Sequence, residues 1–347
     1  MLIHPHARSV ITQLQLPAPI KESYGEVEWD MDLSKNTNAY LERLSCYPDV
    51  KQENLKKLYL SHILDPNNTD NPALKSENLL FTVGSMEGID ILLRTFCELN
   101  QDKICVVHPS FPAYEHSGLI HNLEVKKISL TGENLDTFPL EEMIKINPKM
   151  VFLPNPNNPV GTILEKGLIE KLCESIDGFV VVDEAYIEFS SHPSSLSLLG
   201  QYKNLIILRT LSKAWGLAGV RCGIIVADEL IISSLQYVQL PYGFSIPAQD
   251  LVHECLNSPG KIMDSWKKIK NEREKMAYAL SQLPGVEKVF KSETNFLMII
   301  VKDLPKTMEL LMKHKIKVLD CSLSLPNALR ISLGTEEQNR KVLEVMG

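Results

Sequence analysis

Between Leu79 and Val226 the chain repeats one pattern: a short run rich in apolar residues, a polar turn, then a stretch with apolar residues at helical spacing. The runs are Leu79–Val83, Ile104–Val107, Leu123–Leu130, Met150–Leu153, Phe179–Val182, the residues from Ile206 into Arg209, and Ile224–Val226. Strands that alternate with helices pair in parallel, and strands covered on both faces read as unbroken apolar runs. The pattern predicts an α/β fold with a mostly parallel seven-stranded sheet flanked by helices. The turns then gather along one edge, at the carboxyl ends of the strands, where open α/β sheets bind ligands.

Those turns carry an unusual set of side chains. Gly84 and Ser85 read as a turn ahead of a helix from Glu87 to Leu99, so the backbone N–H groups of Gly84, Ser85 and Met86 face outward as an anion site. After Ile104–Val107 comes HPSFPAY, whose prolines hold Phe111 at the strand end, placed either to stack on a flat ring or to plug the core. The loop PNPNNPVG, Pro154 to Gly161, has more fixed φ angles than an ordinary loop needs and is read as aiming a polar side chain, Asn158. Asp183 follows four apolar residues directly, so its carboxylate is partly buried and needs a cationic or N–H partner, and Tyr186 lies three residues on.

The stretch IILRTLSKAWGLAGVRCG, Ile206 to Gly223, completes the set. Lys213 stands where a strand gives way to a tight turn, and Gly216 and Gly219 leave room for a bulky group. A lysine amine near apolar walls and a second cation has its pKa lowered enough to attack a carbonyl. Thr210, Ser212 and Arg221 offer two hydroxyls and a guanidinium fork, the donors a phosphate takes. Each feature alone also fits a solvated turn or a core contact. Together, a carboxylate for a ring nitrogen, an aromatic for a ring face, an amide and a phenol for a ring hydroxyl, phosphate donors and one lysine match pyridoxal 5′-phosphate.

Composition narrows the setting. At 347 residues, with 44% hydrophobic and 23% charged, the chain supports a large α/β domain plus a smaller one. A net charge of -7 without any basic run argues against a nucleic-acid partner, and no apolar run reaches the length of a membrane span. The seven scattered cysteines, with no CxxC pair, read as reduced thiols of a cytoplasmic protein and not as a disulfide framework or metal site. His4 and His6 have no nearby acidic or cysteine partner, so the N-terminus reads as a disordered or partner-covered arm, not a metal site or a secretory signal.

Organisation follows: an arm over residues 1–45, a large ligand-binding domain over 46–245, and a small α+β domain over 246–347. A surface helix is predicted over Leu55 to Leu64. The small domain is predicted to hold one long helix from about 247 to 280, strands at Val286–Phe290, Phe296–Val301, 316–319 and 328–332, a helix over 304–314 and a last helix from Thr335.

The segments GSMEGID, HPSFPAY, NPNNPVG, VVDEAYIEF, ILRTLSKAWGLAGVRCG, EREKMAYALSQLPGVEKVFKSETNF and ALRISLGT resemble the fold-type I pyridoxal-phosphate-dependent aminotransferases, and among them the histidinol-phosphate aminotransferases. The resemblance covers most of residues 79 to 346. It implies that Lys213 holds the cofactor covalently and then carries the substrate's α-proton, with Asp183 on the pyridinium nitrogen. Asn158 and Tyr186 would bond the ring's 3′-oxygen, and Phe111 would stack where the family often has tyrosine. Ser85 and Met86 through their backbone, with Thr210, Ser212 and Arg221, would bind the phosphate.

It further implies that Tyr47 reaches the phosphate of a neighbouring subunit, making a homodimer with composite sites, and that Arg330 and Asn36 contact the substrate. No metal is implied. The chain departs from the family at Asn36-Thr37-Asn38-Ala39, where NENP is common. It departs also at Pro17-Ala18-Pro19-Ile20 in place of a Pro-Tyr, at Leu319 in place of a second arginine, and at Val160 in place of a threonine. These changes fall on the substrate side. The expected reaction is transamination between histidinol phosphate and 2-oxoglutarate. An aminotransferase for aromatic or other amino acids, and threonine-phosphate decarboxylase on the same scaffold, remain alternatives.

Overall fold

The computed structural model describes residues 3–16, 31, 33–41, 43–64 and 73–347. Pro17 to Ile20, one of the departures noted above, lie outside the described residues. In chain order the main elements begin with α1 (Glu53–Ile63), β1 (Leu79–Val83), α2 (Gly84–Phe96), β2 (Lys103–His108), α3 (Ala113–Ile120) and β3 (Glu124–Ser129). Next come α4 (Leu140–Ile146), β4 (Met150–Pro154), α5 (Lys166–Ser175), β5 (Phe179–Asp183), β6 (Leu205–Thr210), β7 (Cys222–Ala227) and α6 (Glu229–Leu235). The remainder is α7 (Ile246–Asn257), α8 (Gly260–Ser281), β8 (Val286–Val289), β9 (Phe296–Val301), α9 (Leu304–Lys313), β10 (Leu319–Asp320), β11 (Ala328–Ser332) and α10 (Glu336–Met346).

The seven apolar runs form one sheet in the order β1-β7-β6-β5-β4-β2-β3, and a second sheet runs β10-β11-β9-β8. Pairing of β2 with β3 and β4, and of β4 with β5, is parallel, whereas β1 runs antiparallel to β7. Every residue of β4, β5, β6 and β7 is buried, which is why these runs show no polar alternation. No helix among the described residues is long and apolar enough to cross a membrane.

Two compact units divide the chain. One contains Met1–Glu98 and Leu208–Pro259. Within it, β1 and β7 pair from Leu79↔Val226 to Val83↔Cys222, and α2 packs on both. The first described residues, expected as a disordered or partner-covered arm, are fastened to this unit. The His4 N–H donates to Ser234 Oγ at 2.7 Å, Arg8 N–H to the Thr95 carbonyl at 2.9 Å, and Ile11 is buried.

The other unit contains Leu99–Ile207 and Gly260–Gly347. Its small antiparallel sheet shows how a period of two aims side chains. Leu297, Ile299 and Val301 of β9 pack with Leu329 and Ile331 of β11 against Met276 and Leu280 of α8 and Val342 of α10. Met298 and Ala328, on the opposite face, pack with Val160 of the NPNNPVG loop. Arg330 shares that second face, so the strand register carries it toward the same loop.

The long helix expected over 247–280 is two helices, α7 and α8, separated at Ser258 and Pro259. A proline removes an N–H donor and restricts the residue before it, so the helical spacing on either side does not make one helix. The predicted helix start at Glu87 lies three residues late, because Gly84 already opens α2.

Candidate active site

The first unit builds an anion cradle. Helix α2 has no side-chain cap at its N-terminus, so the Ser85 and Met86 N–H groups point out of its first turn. Gly84 adopts φ +72°, a conformation other residues resist, and a side chain there would meet the Arg221 guanidinium, whose Nη2 lies 2.5 Å from the position of a Cβ. The Gly84 N–H in turn donates to the Arg221 carbonyl at 2.9 Å. Gly223 has a packing reason as well, since any Cβ on it would strike the Gly84 and Ser85 backbone.

Thr210 ends β6 with its hydroxyl 3.0 Å from both Ser212 Oγ and the Cys222 carbonyl. Arg221 Nη1 reaches Ser212 Oγ at 3.5 Å and donates to the Ala218 carbonyl at 3.1 Å. Two hydroxyls and one guanidinium therefore lie on one stretch of chain, residues 210–221, whose Arg221 packs on the open end of α2. Lys213 stands on that turn, exposed, three residues beyond β6; the turn closes through Leu217 N–H to the Leu211 carbonyl at 3.0 Å. Gly216 adopts φ +71°, and among the described residues, its chain neighbours aside, nothing lies within 4 Å of its Cβ position. Tyr47, half exposed, stacks on Tyr242 with ring centroids 4.3 Å apart. Asn36 is exposed.

The second unit holds its polar candidates among apolar neighbours. Asp183 ends β5 and is buried, with Oδ2 accepting from the Tyr114 hydroxyl at 2.7 Å and Oδ1 from the Ala185 N–H at 3.1 Å. Tyr186 is buried edge-on to Phe296, and burial pushes its phenol up to about 12. Phe111 lies partly exposed at the mouth of HPSFPAY, edge-on to Tyr114.

The NPNNPVG loop separates the roles of its asparagines. Asn155 Oδ1 accepts from the Leu164 N–H at 2.8 Å, and Asn157 bonds the Pro109 carbonyl and the Val160 N–H, so both amides tie the loop to itself and to the HPSFPAY turn. Asn158 instead accepts a hydrogen bond from Arg330 Nη1. The Arg330 guanidinium carbon lies 4.7 Å from the centroid of the Phe296 ring, a cation–π arrangement. Its Nε is buried with no partner among the described residues.

Phe111, Asn158, Asp183, Tyr186 and Arg330 thus belong to the second unit, and Ser85, Met86, Thr210, Ser212, Lys213, Arg221, Tyr47 and Asn36 to the first. Tyr114 is the residue that sequence reasoning passed over. Its place in HPSFPAY, three after Phe111, gives no sign that its hydroxyl meets a carboxylate 69 residues away.

The donor sets fit pyridoxal 5′-phosphate: the cradle suits a phosphate dianion, and a buried carboxylate with its own donors suits a cationic ring nitrogen. The family model described as "Aminotransferase class I and II" matches residues 31–346. The chain is similar to the histidinol-phosphate aminotransferase of Flavobacterium psychrophilum, 33% identical over 345 residues, 98% of this chain and 96% of that protein. In fold it is similar to the histidinol-phosphate aminotransferase of Clostridium acetobutylicum, with TM-score 0.77, 23% identity and coverage of 87% of this chain and 90% of that one. It is similar also to the Sinorhizobium meliloti enzyme of the same name solved in complex with pyridoxal-5′-phosphate, with TM-score 0.75, 20% identity and coverage of 87% and 83%.

Proposed function

Since this chain belongs to the class I and II aminotransferases, enzymes that depend on pyridoxal 5′-phosphate, we propose that it transfers the amino group of histidinol phosphate to 2-oxoglutarate. When bound, the cofactor supplies an aldehyde and an electron-withdrawing ring that accepts the electron pair released at the substrate's α-carbon.

The protein's residues do the rest. Lys213 would hold the cofactor, and its amine would take the proton from the substrate's α-carbon and pass it on instead of returning it there. Asp183 keeps a proton on the ring nitrogen, where its negative charge counts most because the site is buried. Asn158 and Tyr186 donate to the ring's oxygen, a task Tyr186 performs across the working pH range because its raised pKa keeps the phenol protonated. Phe111 covers the ring face. Ser85 and Met86 N–H, Thr210, Ser212 and Arg221 hold the phosphate, and Arg330, with Asn36, receives the substrate's anionic group.

The observation that carries the substrate reading is the Arg330–Asn158 hydrogen bond. The cation proposed for the substrate and the amide proposed for the cofactor ring lie in direct contact, so an anionic amino donor bound at Arg330 is placed against the ring. We extend the proposal to a cytoplasmic homodimer with Tyr47 reaching the neighbouring site, and to the division into arm, large and small domains at residues 45 and 245. Exposed Met31, Leu33, Tyr40, Leu41 and Leu44 support an interface near Tyr47, and the free thiols of Cys46, Cys105, Cys173, Cys222, Cys255 and Cys321 support a reducing compartment.

A single-turnover screen tests the substrate, following the visible absorption of the bound cofactor on adding histidinol phosphate, phenylalanine, tyrosine or phosphothreonine. Fastest conversion to the amine form with histidinol phosphate is expected. Preference for an aromatic amino acid overturns the substrate reading, and release of CO₂ from phosphothreonine overturns transamination.

A further inference from the structure

Tyr114 leaves the chain in the first turn of α3, just past the end of β2, and its side chain is 1% exposed. Strand order in this unit places β4 between β2 and β5. The Tyr114 ring crosses that gap stacked on Phe152 of β4, centroids 5.0 Å apart and planes 13° apart, and delivers its hydroxyl to Asp183 at the end of β5. Its other neighbour is Phe111, held edge-on at 5.7 Å and 86°. One side chain therefore touches both the carboxylate proposed for the ring nitrogen and the aromatic proposed for the ring face.

We infer that Tyr114 is a positioning residue of the cofactor site, fixing the Asp183 carboxylate in its charged, correctly turned form through the phenol hydrogen bond. The inference rests on the reading of Asp183 as partner of the ring nitrogen. A hydroxyl donating to a carboxylate at 2.7 Å is charge-assisted and stabilises the anion over the protonated acid. Burial, then the nearby Asp183 charge, holds the Tyr114 phenol well above its ordinary value, so it remains a donor. A buried carboxylate without that donor would be harder to keep ionised and less firmly turned about its χ2, since the Ala185 N–H holds only Oδ1, and either change weakens its grip on a protonated pyridine.

A double-mutant cycle tests this with wild type, Tyr114→Phe, Asp183→Asn and the double variant, reading the dissociation constant of pyridoxal 5′-phosphate from apoenzyme and the pH dependence of the bound cofactor's visible absorption. Tyr114→Phe keeps the stacked ring and removes the donor; Tyr114→Met, a second donorless side chain, replaces it should the first variant not fold. The expected result is cofactor affinity about tenfold weaker and a displaced pH profile in Tyr114→Phe, a larger loss in Asp183→Asn, and a double variant no worse than Asp183→Asn alone.

Equal losses from Tyr114→Phe in both backgrounds, or no loss at all while Asp183→Asn weakens binding, would overturn the inference and leave the Asp183 reading intact. No effect of Asp183→Asn on either readout would overturn the Asp183 reading itself.

Discussion

The Arg221 guanidinium fills the space a side chain on Gly84 would need: Nη2 lies 2.5 Å from the Cβ position, and the Arg221 carbonyl accepts the Gly84 N–H. The glycine thereby lets a cation rest against the open N-terminus of α2, and the proposed phosphate site draws on both. Gly84→Ala must displace Arg221 and adopt φ +72°, a conformation that costs an L-residue about 1–2 kcal/mol. We expect at least a tenfold rise in the dissociation constant for pyridoxal 5′-phosphate and a lower melting temperature. Unchanged cofactor affinity in titrations of the apoenzyme would remove Arg221 from the phosphate site.

Arg330→Ala should raise KM for histidinol phosphate and for 2-oxoglutarate by about 10–100-fold with a smaller change in kcat, because the contact is made in ground and transition states alike. Arg330→Lys should recover only part of the loss, since an ammonium reproduces neither the fork toward Asn158 nor the stacking on Phe296. Steady-state kinetics of both variants decide it, and normal KM values for both substrates would place the anion site elsewhere.

Tyr186 links the site to stability at alkaline pH. Burial raises its phenol from 10.0 to about 12, so the folded state favours the protonated form. The stabilisation is whole below pH 10.0 and is lost as pH rises through the window from 10.0 to about 12. Urea midpoints measured across that window should fall more steeply for wild type than for Tyr186→Phe. Parallel curves would mean that Tyr186 titrates normally.

Tyr47 stacks on Tyr242 within its own chain, and the proposal gives it a role in the partner's site. Mixing inactive Lys213→Ala protein with a Tyr47→Ala variant after reversible dissociation should produce hybrids carrying one intact site, with activity above the average of the two parents. Activity equal to that average would show that each site is built from one chain.

Much of this was legible in the residues. Strands β4 to β7 announced themselves because burial on both faces leaves unbroken apolar runs. Asp183 stood out because it follows such a run directly, and Lys213 because it lies in the turn where such a run gives way. The Tyr114–Asp183 bond was not legible, because it depends on β4 lying between β2 and β5, a relationship that periodicity along the chain does not encode. Nor could spacing choose among three neighbouring asparagines: Asn155 and Asn157 bond their own loops, and only the register of Arg330 on β11 gives Asn158 a different partner. The fastening of residues 4–11 escaped notice because its contacts, with Thr95, Glu98 and Ser234, are distant in sequence and carry no repeat.

Lys213 is the residue proposed to carry the cofactor. Borohydride reduction of the holoenzyme, followed by proteolysis and mass spectrometry, tests it most directly. One phosphopyridoxyl adduct per chain is expected on Lys213, absent from Lys213→Ala even when that variant still binds cofactor reversibly. An adduct on another lysine, or reduction that leaves Lys213 unmodified in an active enzyme, would contradict it.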